Sequence, residues 1–129
     1  MKKFEFKLTR YEFKLEDNRQ ALKKLLSNIN NKEYIWFLEY DESQNLDSGF
    51  LFEDDVEIKN DEFQEKIQTQ EYYIIHAIIK LFKNKKELKN NRWMMNLQIY
   101  DTIFATLDVI DNELSNKIEK NIKKVENQL

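Results

Sequence analysis

The chain has 129 residues, with 21 basic and 24 acidic side chains, a formal net charge of −3, one Gly, one His and neither Pro nor Cys. The lack of Cys excludes disulfides, Cys-based zinc sites, iron–sulfur clusters and thiol catalysis together. A lone imidazole, His76, excludes multi-His metal centres and leaves Ser–His catalysis almost no material. The 41% hydrophobic and 13% aromatic content is that of a packed chain rather than a disordered one, and the length fits one domain over residues 1–129.

Phe4, Phe6 and Leu8 alternate with Lys3, Glu5 and Lys7, the period-2 mark of a half-buried strand. Tyr11, Phe13 and Leu15 continue the alternation after a slip near Thr9-Arg10, which predicts a bulge or turn there. Asp17 or Asn18 is placed to cap a helix carrying Leu22, Leu25, Leu26 and Ile29 at i, i+3, i+4 and i+7, closed by Asn28, Asn30 and Asn31. Tyr34 to Leu38 is apolar on both faces, as in a central strand. Asp41 to Ser48 reads as a polar turn, and Gly49 opens a strand with Phe50 and Phe52 that Val56 and Ile58 continue or follow. Asn60 or Asp61 then caps a short helix with Phe63 and Ile67.

Tyr72 to Phe82 favours a long strand, with Tyr73, Ile75, Ala77, Ile79 and Leu81 on one face. Lys83 to Asn91 is a polar connection, and two strands follow, Trp93–Ile99 and Ile103–Ile110, divided by Asp101-Thr102. A last helix carries the stripe Leu114, Ile118, Ile122 and Val125, which packs on its own sheet or pairs a second copy as a homodimer. The order β-α-β-β-α-β-β-β-α, joined by short polar connections, predicts a single α+β domain. Its sheet is mixed but mainly antiparallel, with about six strands, and two longer helices and one short one pack mainly on one face.

The charge is segregated. Residues 1–38 balance at +4 and residues 66–129 at +3, while residues 39–65 hold eleven carboxylates and one Lys, a balance of −10. Gathered on one side of a fold, such a block makes a one-signed field that speeds encounter with a basic partner. Aromatic anchors beside a charged rim are the usual centre of a protein interface. The residues expected to bind a partner are therefore Tyr40, Asp41, Glu42, Asp47, Phe50, Glu53, Asp54, Asp55 and Glu57. Asp41 to Asp47 resembles a calcium loop only in composition, lacking Gly at the sixth position, so no metal or other cofactor is expected. The basic stretch from Lys80 to Arg92 reads as a solvated loop, and nucleic acid is not an expected partner.

One glycine cannot build a phosphate-cradling loop or a nucleophile elbow, and it argues mildly against a catalytic domain. No apolar run approaches ~18 residues, so no segment is expected to span a membrane. Met1-Lys2-Lys3 runs into an alternating strand pattern rather than a secretory h-region, which points to the cytoplasm. Lys, Asn and Ile are in marked excess, as from the AT-rich coding DNA of low-GC bacteria and their mobile elements.

No family motif stands in the chain. Its general character, small, acidic, glycine-poor and α+β, resembles that of immunity proteins that neutralise bacterial toxins and of phage-encoded inhibitors, and it carries no site over. The expected function is a non-enzymatic one: an immunity-type inhibitor docking its acidic, aromatic-flanked face on a basic toxin or nuclease domain. The alternatives are a phage-type inhibitor of a nucleic-acid-binding complex acting by charge mimicry, and a small enzyme or ligand-binding protein with a pocket near His76.

Overall fold

The alternation at the N-terminus forms β1 (Lys2–Lys7), and the i, i+3, i+4 leucines form α1 (Leu15–Leu25). There follow β2 (Ile35–Asn45), β3 (Val56–Lys59), α2 (Asn60–Thr69), β4 (Tyr72–Phe82), the short α3 (Lys85–Lys89), β5 (Met95–Tyr100), β6 (Phe104–Val109) and α4 (Asn112–Glu126). The computed structural model describes residues 1–46, 49 and 51–129. The six strands make one sheet in the order β1-β6-β5-β4-β2-β3, and every neighbouring pair is antiparallel. The expected mixture of directions is thus absent from these pairs, and the α+β architecture with helices on one face is what forms.

One core explains that arrangement. Trp36 and Leu38 of β2, Ile79 and Leu81 of β4, Leu97 of β5 and Leu107 of β6 point to the same side and are fully buried. Leu22 and Leu25 of α1, Phe63 and Ile67 of α2, and Ile118 and Val125 of α4 join them from the helical layer. Burying each such side chain contributes about 2 kcal/mol. The stripe of α4 is spent on its own domain, which leaves it unavailable to the homodimer that the sequence admitted.

Two bulges decide which residues reach the surface. The pairing of β2 with β4 shifts between Leu38 and Tyr40, and again between Glu42 and Ser43. Glu39 on β2 and Ile75 on β4 are the extra residues, and each resets the parity of its strand. On β4 the inward set is Tyr72 and Ile74, then Ala77, Ile79 and Leu81. Tyr73 and Ile75 do not share that face, because the bulge intervenes. On β2 the inward set after the bulge is Asp41, Ser43 and Asn45, all buried. This segment is therefore strand, and the polar turn expected from Asp41 onward begins only after Asn45.

Asn and Gln side chains tie the helical layer together. The carbonyls at the C-terminal end of a helix lack internal partners. Here Gln68 Nε2 donates to the Lys23 carbonyl, Gln64 to Leu26 and Ile29, and Asn121 to Leu25 and Ser27. Asn60 donates to the carbonyls of Ile29 and Asn31 and accepts from the Trp36 indole N–H at 2.7 Å. Asn60 is thus the first residue of α2, turned inward, rather than a cap. Asn18 likewise enters the core from α1. It accepts from the Ile74 N–H and donates to the carbonyls of Ile74 and Thr102, pinning the β4 bulge to the β5–β6 turn.

Other expectations shift for local reasons. Tyr11 and Phe13 extend no strand, and Leu15 is the first residue of α1. After β1 the chain is pinned by the Leu8 N–H on the Ile103 carbonyl, and Tyr11 packs edge-on against Phe104 under the Lys7 ammonium. Asp17 accepts from the Lys14 N–H from inside the first turn of α1. Leu51 and Phe52 are buried in a bend, Phe50 lies outside the described residues, and the strand begins at Val56. The polar connection after β4 holds α3, capped by Asn84. Among the described residues, no helix is long and apolar enough to cross a membrane.

Candidate functional site: an acidic face around Tyr40

The Glu39 bulge turns Tyr40 outward on the sheet face opposite the three longer helices, where it is 40% exposed. Its hydroxyl donates to Glu42 Oε2 at 3.3 Å. The tyrosine's pKa is held above 10.0, first by the charge of Glu42, then by partial loss of water and that hydrogen bond, then by the charges of Asp54 and Asp41. The charges of three carboxylates of the acidic block thus act on one exposed phenol, Glu42 through direct contact. Glu39, on the bulge itself, binds Lys80 of β4 at 2.9 Å.

Asp41 lies beneath this face and is not offered to a partner. It is 7% exposed, and its Oδ2 accepts from the Ser43 hydroxyl at 2.7 Å and the Phe52 N–H at 3.1 Å. Its Oδ1 is buried without a hydrogen-bond partner among the described residues. Burial pushes the Asp41 pKa up and the neighbouring charge of Asp54 adds to it, against the two hydrogen bonds. Asp54 Oδ1 accepts from the Asp41 N–H at 2.7 Å, and Ser43 Oγ accepts from the Leu51 N–H. Asp41, Ser43 and Asp54 therefore form the clasp that holds residues 51–54 against β2.

That clasp shapes a groove of about 440 Å³ lined by Leu51, Phe52, Glu53, Val56, Glu57, Ile58, Glu62 and Lys66. Its floor is continuous with the core: Phe52 stacks on Phe63 at 5.3 Å, and Phe63 on Trp36 at 4.1 Å. Each stacked pair contributes about 1 kcal/mol beyond its burial. Glu53, Glu57 and Glu62 are exposed around it, and the Lys66 ammonium lies 5.8 Å from the Phe52 ring. Asp54 and Asp55 form the exposed turn into β3, with Asp55 at φ +56°.

Of the nine residues expected to bind a partner, Tyr40 and Glu42 lie on the open sheet face, and Glu53 and Glu57 line the groove. Asp54 and Asp55 join the two regions, Asp41 is buried, and Asp47 and Phe50 lie outside the described residues. Glu62 and Lys66 were missed as groove residues, although their i, i+4 spacing on one helix face was in view.

His76 sits opposite Glu42 on the open face, its side chain 38% exposed. Its Nδ1 accepts from the Asp101 N–H at 3.3 Å, and its Nε2 lies 3.5 Å from Asp101 Oδ1 and 4.0 Å from Glu42 Oε2. The adjoining turn holds Asp101 at φ +51° and Thr102 at φ +67°, a strained conformation for a β-branched residue. Among the described residues, no group of three or more His, Asp or Glu is placed to hold a metal ion. In the basic stretch, Lys80 and Lys85 are committed to Glu39 and Glu57, the latter pair at 2.7 Å.

Residues 11–128 match a family described as "Protein of unknown function (DUF2691)". The chain belongs to this family. The match takes in every element of the fold except β1, and so includes the acidic face and the groove whole. No curated protein and no solved structure matches the chain.

Proposed function

We propose that this member of the family is a non-enzymatic binding protein of the immunity type, acting in the cytoplasm, which neutralises a basic toxin domain such as a nuclease. The observation that carries the reading is the exposed Tyr40 on the open sheet face, its hydroxyl on the Glu42 carboxylate and the exposed Asp54-Asp55 turn at the end of the same acidic block. An aromatic anchor in a carboxylate field suits a basic surface, because the ring supplies buried area and the charges supply steering and register. Nuclease sites are basic because they hold phosphate, so carboxylates presented by an inhibitor can replace substrate charge. Occlusion needs only a complementary surface, and the hydrogen bonds that hold residues 51–54 on β2 support this reading by fixing the position of the acidic turn.

The test is capture of the partner from a lysate of the source organism at low and moderate salt, followed by assay of that partner's toxicity with and without this protein. The reading expects a basic protein retained in stoichiometric amount and silenced by the wild type. The double variant Tyr40→Ala, Glu42→Lys should lose both effects while keeping its fold. Retention unchanged in the variant removes this face from the interface. An inhibitor of a nucleic-acid-binding complex acting by charge mimicry would use the same face, and the identity of the captured protein separates the two.

A further inference from the structure

The sheet has two edges, and they differ in chemistry. β1 carries Lys2, Lys3 and Lys7 along its length, the kind of charge that discourages pairing with another chain. β3 ends the sheet on the other side, with the groove at its flank. The Asn60 N–H donates to the Tyr34 carbonyl, which fixes the phase of the ladder. By the alternation of antiparallel pairs, Ile58 and Val56 then bond Trp36 and Leu38, while the backbone groups of Glu57 and Lys59 turn away from β2. The Lys59 carbonyl starts the hydrogen bonding of α2. The N–H and C=O of Glu57 and the N–H of Lys59 remain directed outward along the groove.

We propose that the β3 edge and its groove take up an extended basic segment of the partner protein as an added strand. The backbone of Glu57 and Lys59 supplies the hydrogen bonds. The apolar floor of Phe52, Val56 and Ile58 takes an apolar side chain, and the carboxylates of Glu53 and Glu62 bind basic side chains beside it. This is the division of labour in strand addition, with main-chain bonds giving affinity and side-chain pockets giving specificity. Charge complementarity selects the occupant: Glu57 of the groove is paired with Lys85, and of the remaining charged lining residues two, Glu53 and Glu62, are carboxylates and one, Lys66, is a cation. The Asp54-Asp55 turn makes the edge continuous with the Tyr40 face, so one partner can engage both. The inference rests on the reading of the partner as a basic protein.

The probe is a short, end-blocked peptide of alternating Lys and Val, titrated against the full chain while amide hydrogen exchange is followed. Bound peptide should slow exchange at the amides of Glu57 and Lys59 by about tenfold or more. The same peptide N-methylated at alternate residues, or with Glu in place of Lys, should lose this effect. The double variant Glu53→Lys, Glu62→Lys changes only exposed side chains and should weaken peptide binding by about tenfold, with its unfolding midpoint checked against the wild type. Absence of binding, binding without protection of those two amides, or equal binding of the N-methylated peptide overturns the proposal. Protection that appears without peptide as protein concentration rises assigns the edge to a second copy of this chain and also overturns it. Tyr40→Ala, Glu42→Lys leaves the groove intact. Failure of the peptide alongside a capture that still depends on Tyr40 and Glu42 therefore sinks the added strand alone, and the converse pattern sinks the face reading alone.

Discussion

At the scale of single residues, burial turns one carboxylate of the acidic block from a docking group into a structural one. The pKa of Asp41 is raised above its ordinary 3.8, so between that value and its folded pKa the native state binds more protons than the unfolded chain. Stability contributed by this group therefore falls as pH rises through that window, and is fullest in acid. The unfolding free energy of the wild type minus that of Asp41→Asn should be larger at acid than at neutral pH in paired urea titrations. A difference that is flat, or that grows with pH, contradicts the assignment. Tyr40 reports the field from outside. In Glu42→Gln its hydroxyl pKa should move down toward 10.0, read from the ring-carbon chemical shift. No movement would mean that Glu42 does not act on it. A chain with one glycine also needs other residues at positive φ. Asn28, Asp55, Asn91 and Asp101 fill four such positions, as the short polar side chains best tolerated there.

At the scale of elements, Asn60 joins the loop after α1, the strand β2 and the helix α2 through three hydrogen bonds, two of them buried. Asn60→Leu leaves the Trp36 indole N–H without its partner, while the carbonyls of Ile29 and Asn31 keep Gln64 and the Tyr34 N–H, and should cost about 2 kcal/mol, measured by denaturant unfolding. A cost within experimental error of zero would show that the indole finds another partner. Asn60 also shows where the sequence could and could not be read. Leu22, Leu25, Leu26 and Ile29, and the alternation of Phe4, Phe6 and Leu8, are periodic over whole elements, so α1 and β1 are legible. The inward turn of Asn60, Asn18 and Asp41 depends on contacts with segments from about ten to more than eighty residues away, and no local pattern records those. The bulges at Glu39 and Ile75 are hidden for a related reason. A parity change in β4 looks like an apolar run on both faces, and in β2 it looks like the start of a polar turn. The aromatic alternation at Tyr11 and Phe13 misled because rings packing on Phe104 and Lys7 satisfy it without a strand.

At the scale of the whole molecule, the fold converts a stretch of sequence into a surface with two parts. Tyr40 and Glu42 stand on the open sheet face, Glu53, Glu57 and Glu62 stand around the groove, and the Asp54-Asp55 turn runs between them. Of the candidate site, the concentration of charge and the exposure of Tyr40 were visible in the sequence, whereas its division by the buried Asp41 and the place of Glu62 in the groove lining were not. A net charge of −3 conceals this field, because the balancing cations sit in the flanking segments. The central claim is that the field around Tyr40 steers a basic partner, and the most direct test is the association rate of the captured partner measured against ionic strength. The wild-type rate should fall steeply as salt rises, while Glu42→Lys should start lower, by about tenfold, and fall less steeply. Equal rates and equal salt slopes for the two proteins would contradict the claim.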